Sequence, residues 1–117
     1  MLSGRFRWRD YRTAGGGRPV KRFMDSLTDE EAAAVVAAMK EVAEHGLHHA
    51  RHLRGHIFEV RAFAARRDFR VLFSKESKFV LLSLSALVKK TLKTPQGELE
   101  LAEARLADWR SREARRT

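Results

Sequence analysis

Apolar positions recur along the chain with two periods, and the switches between them mark its elements. The longest apolar run is Phe79–Val88. A run of strand length with no polar alternation fits a strand buried on both faces, and so a central place in a sheet. Within it Val80, Leu82, Leu84, Ala86 and Val88 define one apolar face, expected to lie against helices, while Ser83 and Ser85 fall on the other. Two alternating segments precede it. Ile57–Phe63 sets Phe58, Val60 and Ala62 on one side and Glu59 and Arg61 on the other. Phe69–Phe73 sets Phe69, Val71 and Phe73 together and Arg70 opposite. The polar links Ala64–Asp68 and Ser74–Lys78 are short enough to make these three strands a meander. If no bulge intervenes, Glu59, Arg61, Arg70, Ser83 and Ser85 share the face turned away from the helices.

The other segments follow the same logic. Arg5–Arg12 alternates Phe6 and Trp8 with Arg5, Arg7 and Arg9, the pattern of a half-exposed strand. Pro19–Leu27 spaces Val20, Phe23, Met24 and Leu27 as one helix face. Thr28 with Glu31 forms a capping box, and the helix it opens carries a stripe of Ala32, Val35, Val36, Met39, Val42 and Ala43 before Gly46 ends it. These two helices form a hairpin that covers one face of the sheet. Thr94-Pro95 opens the last helix, with Thr as N-cap and Pro at the first position, running to Arg112. Leu99, Ala102, Leu106 and Trp109 are its buried stripe, so Trp109 reads as core rather than as a stacking surface. The order of elements predicts one α+β domain over residues 1–117. It is a small, twisted, mostly antiparallel sheet with an N-terminal helix hairpin on one face and a C-terminal helix.

Charge narrows the class of partner. Lys and Arg number 24 against 15 acids, a net charge of +9. Such a balance suits nucleic acid, an anionic membrane surface or an acidic protein, and also simple solubility. The cations are spread over strands rather than along one amphipathic helix, which disfavours the membrane. No run approaches the ~20 apolar residues of a membrane span, and the N-terminus lacks an apolar signal core, so the expected location is the cytoplasm. Cysteine is absent, which excludes disulfides, thiolate chemistry and cysteine metal sites. The central strand ends in Lys89, Lys90 and Lys93, beside a helix N-terminus. An anion is the natural partner of that edge. Gly15-Gly16-Gly17 lacks the spacing of a phosphate loop and reads as a connection. His45, His48, His49, His52 and His56 match no metal-ligand motif and read as a solvated loop.

Several of these segments, taken together, carry a resemblance. They are His52-Leu53-Arg54-Gly55 leading into Phe58-Glu59-Val60-Arg61, then Phe69-Arg70-Val71-Leu72-Phe73, then Leu87-Val88-Lys89-Lys90-Thr91-Leu92-Lys93-Thr94-Pro95 with Glu98 and Ala102 following. Gly17-Arg18-Pro19-Val20 through Phe23 and Leu27 joins them. The chain resembles, from about Phe6 to Trp109, the phage-derived HigB-like branch of the RelE superfamily of bacterial toxins. The resemblance implies a RelE-like fold with helices packed on one side of the sheet. It also implies the toxin of a type II toxin–antitoxin module, cleaving mRNA on the ribosome without metal or cofactor and held inactive by a helix-turn-helix, HigA-like antitoxin. By the same resemblance Glu59, Arg61, Arg70, Lys89 and Lys90 are the candidate catalytic residues, and Arg54, Lys93 and Ser85 candidate RNA contacts. The chain departs from its relatives at Ser85, where many carry His, at Leu87, where they carry Phe, and at Phe69, which replaces a frequent Tyr. A catalytically weak or inactive RNA- or antitoxin-binding module of the same fold is the alternative.

Overall fold

A strand that is apolar on both sides needs cover on both sides, and that requirement organises the molecule. The computed structural model describes residues 5–90 and 92–116; Thr91 of the lysine run, Thr117 and residues 1–4 lie outside the described residues. Five strands form one sheet: β1 (Arg7–Asp10), β2 (Arg51–Arg54), β3 (Ile57–Ala64), β4 (Arg67–Ser77) and β5 (Val80–Lys89). Their spatial order is β1-β5-β4-β3-β2, so β5 is internal, as its apolar run predicts. The β2, β3, β4 and β5 pairings are antiparallel, whereas β1 joins β5 in parallel.

Helices α1 (Pro19–Asp25) and α2 (Asp29–His45) make the expected hairpin. The capping box at its second helix is complete: Glu31 N donates to Thr28 Oγ1 at 3.2 Å, and Thr28 N to Glu31 Oε1 at 3.0 Å. Val35 and Val42 of α2 pack with Val60, Phe69, Val71, Phe73 and Leu81 on one face of the sheet. Trp8 sits edge-on to Phe73, with centroids 5.0 Å apart, and its indole N–H reaches the Met39 carbonyl at 2.8 Å. Val36, expected in this core, is instead largely exposed, because it lies at the edge of the stripe.

The C-terminal helix α3 (Gln96–Arg116) occupies the opposite face. Its Leu99, Ala102, Leu106 and Trp109 pack on Tyr11, Ile57, Leu72, Leu82, Leu84 and Leu87. The sheet is therefore covered on both sides, correcting the implied arrangement with all helices on one. A β-bulge explains how β5 serves both layers. Leu72 pairs with Ser85 and Phe73 with Ser83, leaving Leu84 without a partner residue on β4. The facing pattern shifts there. Leu82 before the bulge, Leu84 within it and Leu87 after it all belong to the α3 side, while Leu81, Ala86 and Val88 belong to the hairpin side. The continuous face expected through Val80, Leu82, Leu84, Ala86 and Val88 is broken accordingly. Ser83 moves to the hairpin side, where its hydroxyl donates to Asp10 Oδ1 at 2.8 Å.

Candidate functional site

Near the start of α3, three registered rows of side chains cross the sheet's α3-side face, buried under the helix at one end and reaching solvent at Arg61 and Phe63. The first is Glu59, Leu72 and Ser85; the second Arg61, Arg70 and Leu87; the third Phe63, Asp68 and Lys89. Glu59, Arg61 and Phe63 alternate along β3, and Asp68 and Arg70 along β4, so period-two geometry delivers them all to one face.

Glu59 is fully buried, and both of its carboxylate oxygens are partnered. Arg70 Nη1 donates to its Oε1 at 3.1 Å, Arg61 Nε lies 3.8 Å from the same oxygen, and Thr94 Oγ1 donates to Oε2. Thr94 thus spends its hydroxyl on Glu59. Gln96 is the first residue of α3, and the Pro95 carbonyl accepts from Glu98 N and Leu99 N. Thr94 was expected to cap that helix; here it ties the helix entry to the middle of the sheet.

Arg70 is just as enclosed, with its side chain 4% exposed. Besides Glu59 it grips Asp68 with both arms of its fork, Nε to Oδ1 at 3.0 Å and Nη2 to Oδ2 at 2.8 Å. These bonds hold the Asp68 carboxyl below the usual carboxylate range; partial burial opposes them, and the charges of Arg70, Lys89 and Arg61 add to them. Arg61, by contrast, has a side chain 54% exposed and stands at the solvent edge of the cluster. It lies between two surface depressions. One is lined by Arg61, Ala62, Phe63, Asp68 and Arg70, the other by His48, His49, Ala50, Arg51, Glu59 and Arg61.

The remaining candidates scatter around this centre. Lys89 is mostly buried, faces Asp68 across the strands, and donates to the Leu92 carbonyl. Lys90 and Lys93 are exposed on the loop that follows. Arg54 is drawn elsewhere: it clips β2 to α3 through Glu103, Nη2 to Oε1 at 2.7 Å and Nε to Oε2 at 3.1 Å. Ser85 is placed differently from the expected RNA contact. It is buried beneath α3, and its hydroxyl donates to Glu98 Oε1 at 2.8 Å. Phe69 is buried in the hairpin-side core, edge-on to Phe23 at 6.4 Å. A hydroxyl on that ring would stand on the wrong side of the sheet for this site, so replacement of a tyrosine there removes nothing from the cluster.

Sequence reasoning missed Asp68, taken as part of a turn, although its i,i+2 spacing from Arg70 was the available signal. It also missed His48 and His49. The α2–β2 connection folds as a short 3₁₀ turn, Leu47–His49, that brings the two imidazoles to 4.4 Å centroid separation beside Arg51. Arg51 itself pairs with Glu59 through the unexpected strand β2.

The whole arrangement is a carboxylate-braced arginine pair with lysines at one end and imidazoles at the other. It can bind an anion at Arg61 and move protons beside it. The model of the family described as "Phage derived protein Gp49-like (DUF891)" matches residues 22–107, which include every residue of this cluster. The chain is also similar to the proteins called "Probable endoribonuclease HigB1" of Mycobacterium tuberculosis strains CDC 1551 / Oshkosh and ATCC 25618 / H37Rv. Each is 33% identical over 106 residues, spanning 88% of this chain and 84% of the relative. The chain belongs to the phage-derived Gp49-like family, among its HigB-like toxins.

Proposed function

We propose that this chain is the mRNA-cleaving toxin of a type II toxin–antitoxin module. It acts in the cytoplasm on ribosome-associated mRNA, blocks translation, and is restrained by a helix-turn-helix antitoxin. The observation that carries the reading is the exposed Arg61 guanidinium, braced from beneath by buried Glu59 and sharing a depression with His48 and His49. The likeness to HigB1, whose name specifies an endoribonuclease, supports it.

Metal-free RNA cleavage needs three things: removal of the 2′-hydroxyl proton, stabilisation of the phosphorane charge, and a proton for the departing 5′-oxygen. Arg61 binds the scissile phosphate through its bidentate fork. Arg70 does not reach it; its donors are committed to Glu59 and Asp68, and it acts by holding both in place. Glu59 orients Arg61. Lys90 and Lys93 neutralise adjoining phosphates, while Lys89 lies nearest the Asp68 end of the cluster. His49, across the depression from Arg61, accepts the 2′-proton. The 2′-oxygen attacks phosphorus, the P–O5′ bond breaks, and a lysine ammonium protonates the 5′-oxygen. The products are a 2′,3′-cyclic phosphate and a 5′-hydroxyl.

The second reading is a binding module that does not cut. The pairing of Arg70 with two carboxylates favours it, because that arginine's charge is already compensated. Inducible expression in a bacterium, with growth followed and RNA ends mapped, separates the two. Growth arrest with new cyclic-phosphate ends in mRNA is expected of the nuclease; soluble protein with unchanged growth and intact mRNA overturns it.

A further inference from the structure

Phe63 is the large aromatic residue most out of place for stability. It is 71% exposed, on the sheet face that carries the candidate site, in the same depression as Arg61, Asp68 and Arg70. It is aligned with Asp68 and Lys89 across the strands and stands two residues from Arg61 along β3. Same-face positions on a strand lie about 7 Å apart. A ribose and its glycosidic bond cover that kind of separation between a phosphate and a base. The adjoining hairpin turn adds exposed Arg66. Single-stranded RNA is held by this combination of cations along the backbone and an open ring face for a base.

We infer that Phe63 is a stacking platform for the nucleobase next to the phosphate held by Arg61. The inference rests on the nuclease reading and adds a base contact to it. Stacking is available from every base, so the platform positions RNA without demanding one sequence, and favours purines for their larger ring area.

The test compares the full chain with Phe63→Ala, Phe63→Leu and Phe63→Trp. It uses ribosome-bound mRNA carrying 2-aminopurine beside the cleavage position, with cleavage kinetics, probe fluorescence and antitoxin binding measured together. Loss of one stacked base weakens binding about 5- to 150-fold. Phe63→Ala and Phe63→Leu are therefore expected to raise KM by that factor and to abolish the quenching of 2-aminopurine, while Phe63→Trp retains both. The thermal midpoint is expected to stay near the parent's, since the ring is exposed. Unchanged KM and quenching in Phe63→Ala overturn the platform and leave the nuclease reading standing. RNA that is bound and quenched but never cut, with quenching lost in Phe63→Ala, overturns the nuclease reading and leaves the platform. Weakened antitoxin binding with unaltered RNA handling assigns the ring to the protein interface and overturns the inference.

Discussion

Arg70 Nη1 sits 3.1 Å from Glu59 Oε1, and both groups are sealed beneath the surface that Arg61 presents to solvent. The two residues make a foundation rather than a clamp. Removing one partner of a buried ion pair leaves the other charge uncompensated, typically at a cost of about 3–5 kcal/mol. Arg70→Ala is therefore expected to lower unfolding stability by about that amount in urea titrations and to lose activity with it. Arg70→Lys keeps the charge without the fork and is expected to recover part of each. An Arg70→Ala chain as stable as the parent contradicts the foundation role.

His49 shares its depression with Glu59 and Arg61 and carries the proton-transfer role assigned above. His49→Ala is expected to reduce the cleavage rate constant about 10²–10⁴-fold, the usual range for general acid–base catalysis, with little change in KM. A His49→Ala chain with the parent's rate removes this imidazole from the mechanism; His48→Ala provides the comparison for its neighbour.

The β3–β4 hairpin turns through Ala65 and Arg66, with φ of 51° and 64°. A two-residue turn with both φ positive normally calls for Asn-Gly, because a side-chain Cβ in that conformation costs about 1–2 kcal/mol per residue. The double substitution Ala65→Asn with Arg66→Gly is expected to stabilise the fold by about 1–2 kcal/mol in the same urea titration. No gain in midpoint means that the turn relieves its strain in some other way.

Stability is expected to fall at both ends of the pH scale. Asp68 is held below the usual carboxylate range chiefly by the Arg70 hydrogen bonds, and Asp108 chiefly by Arg112 and then by Tyr11. A folded value below the unfolded one means that the contribution is complete above the unfolded value of about 4 and is lost as pH falls through the folded value. Tyr11 runs the other way. Burial first, and then its 2.6 Å hydrogen bond to Asp108, raise its hydroxyl above the usual value. Its contribution is complete below about pH 10 and is lost as pH rises through the folded value. Denaturant titrations across pH should show a shallower alkaline decline in Tyr11→Phe and a shallower acid decline in Asp68→Asn. Unchanged slopes contradict these assignments.

The sequence disclosed elements better than layers. Strands β3, β4 and β5 and all three helices announce themselves by period, and the Thr28–Glu31 capping box is local chemistry that tertiary contacts leave intact. Strand β2 does not, because an edge strand is held by backbone bonds to β3 and Arg51–Arg54 needs no alternation to make them. The bulge at Leu84 is silent for a different reason. Its surroundings, Leu81 to Leu87, contain only apolar and small residues, so a one-residue shift of phase leaves no mark in the pattern. The position of α3 was implicit in β5, since a strand apolar on both faces requires a helix layer on each. In the site, Glu59, Arg61 and Arg70 were legible by alternation. Their division of labour was not, because only packing decides that Arg70 is enclosed and Arg61 open. His48 and His49 join the cluster through the chain reversal after Gly46, whose φ of 106° no periodicity reveals.

The central claim is that an exposed, carboxylate-braced Arg61 holds the phosphate at which RNA is cut. The most direct measurement is end-mapping of cellular RNA after induction of the parent chain or of Arg61→Ala, with the purified proteins' unfolding midpoints measured alongside. The Arg61 side chain is half exposed and Glu59 keeps Arg70 and Thr94 as partners, so Arg61→Ala is expected to fold normally. Loss of one such charge-stabilising group is expected to cut the rate about 10²–10³-fold, and with it the new RNA ends and the growth arrest. A stable Arg61→Ala chain that still produces the parent's RNA ends at the parent's rate would contradict the account.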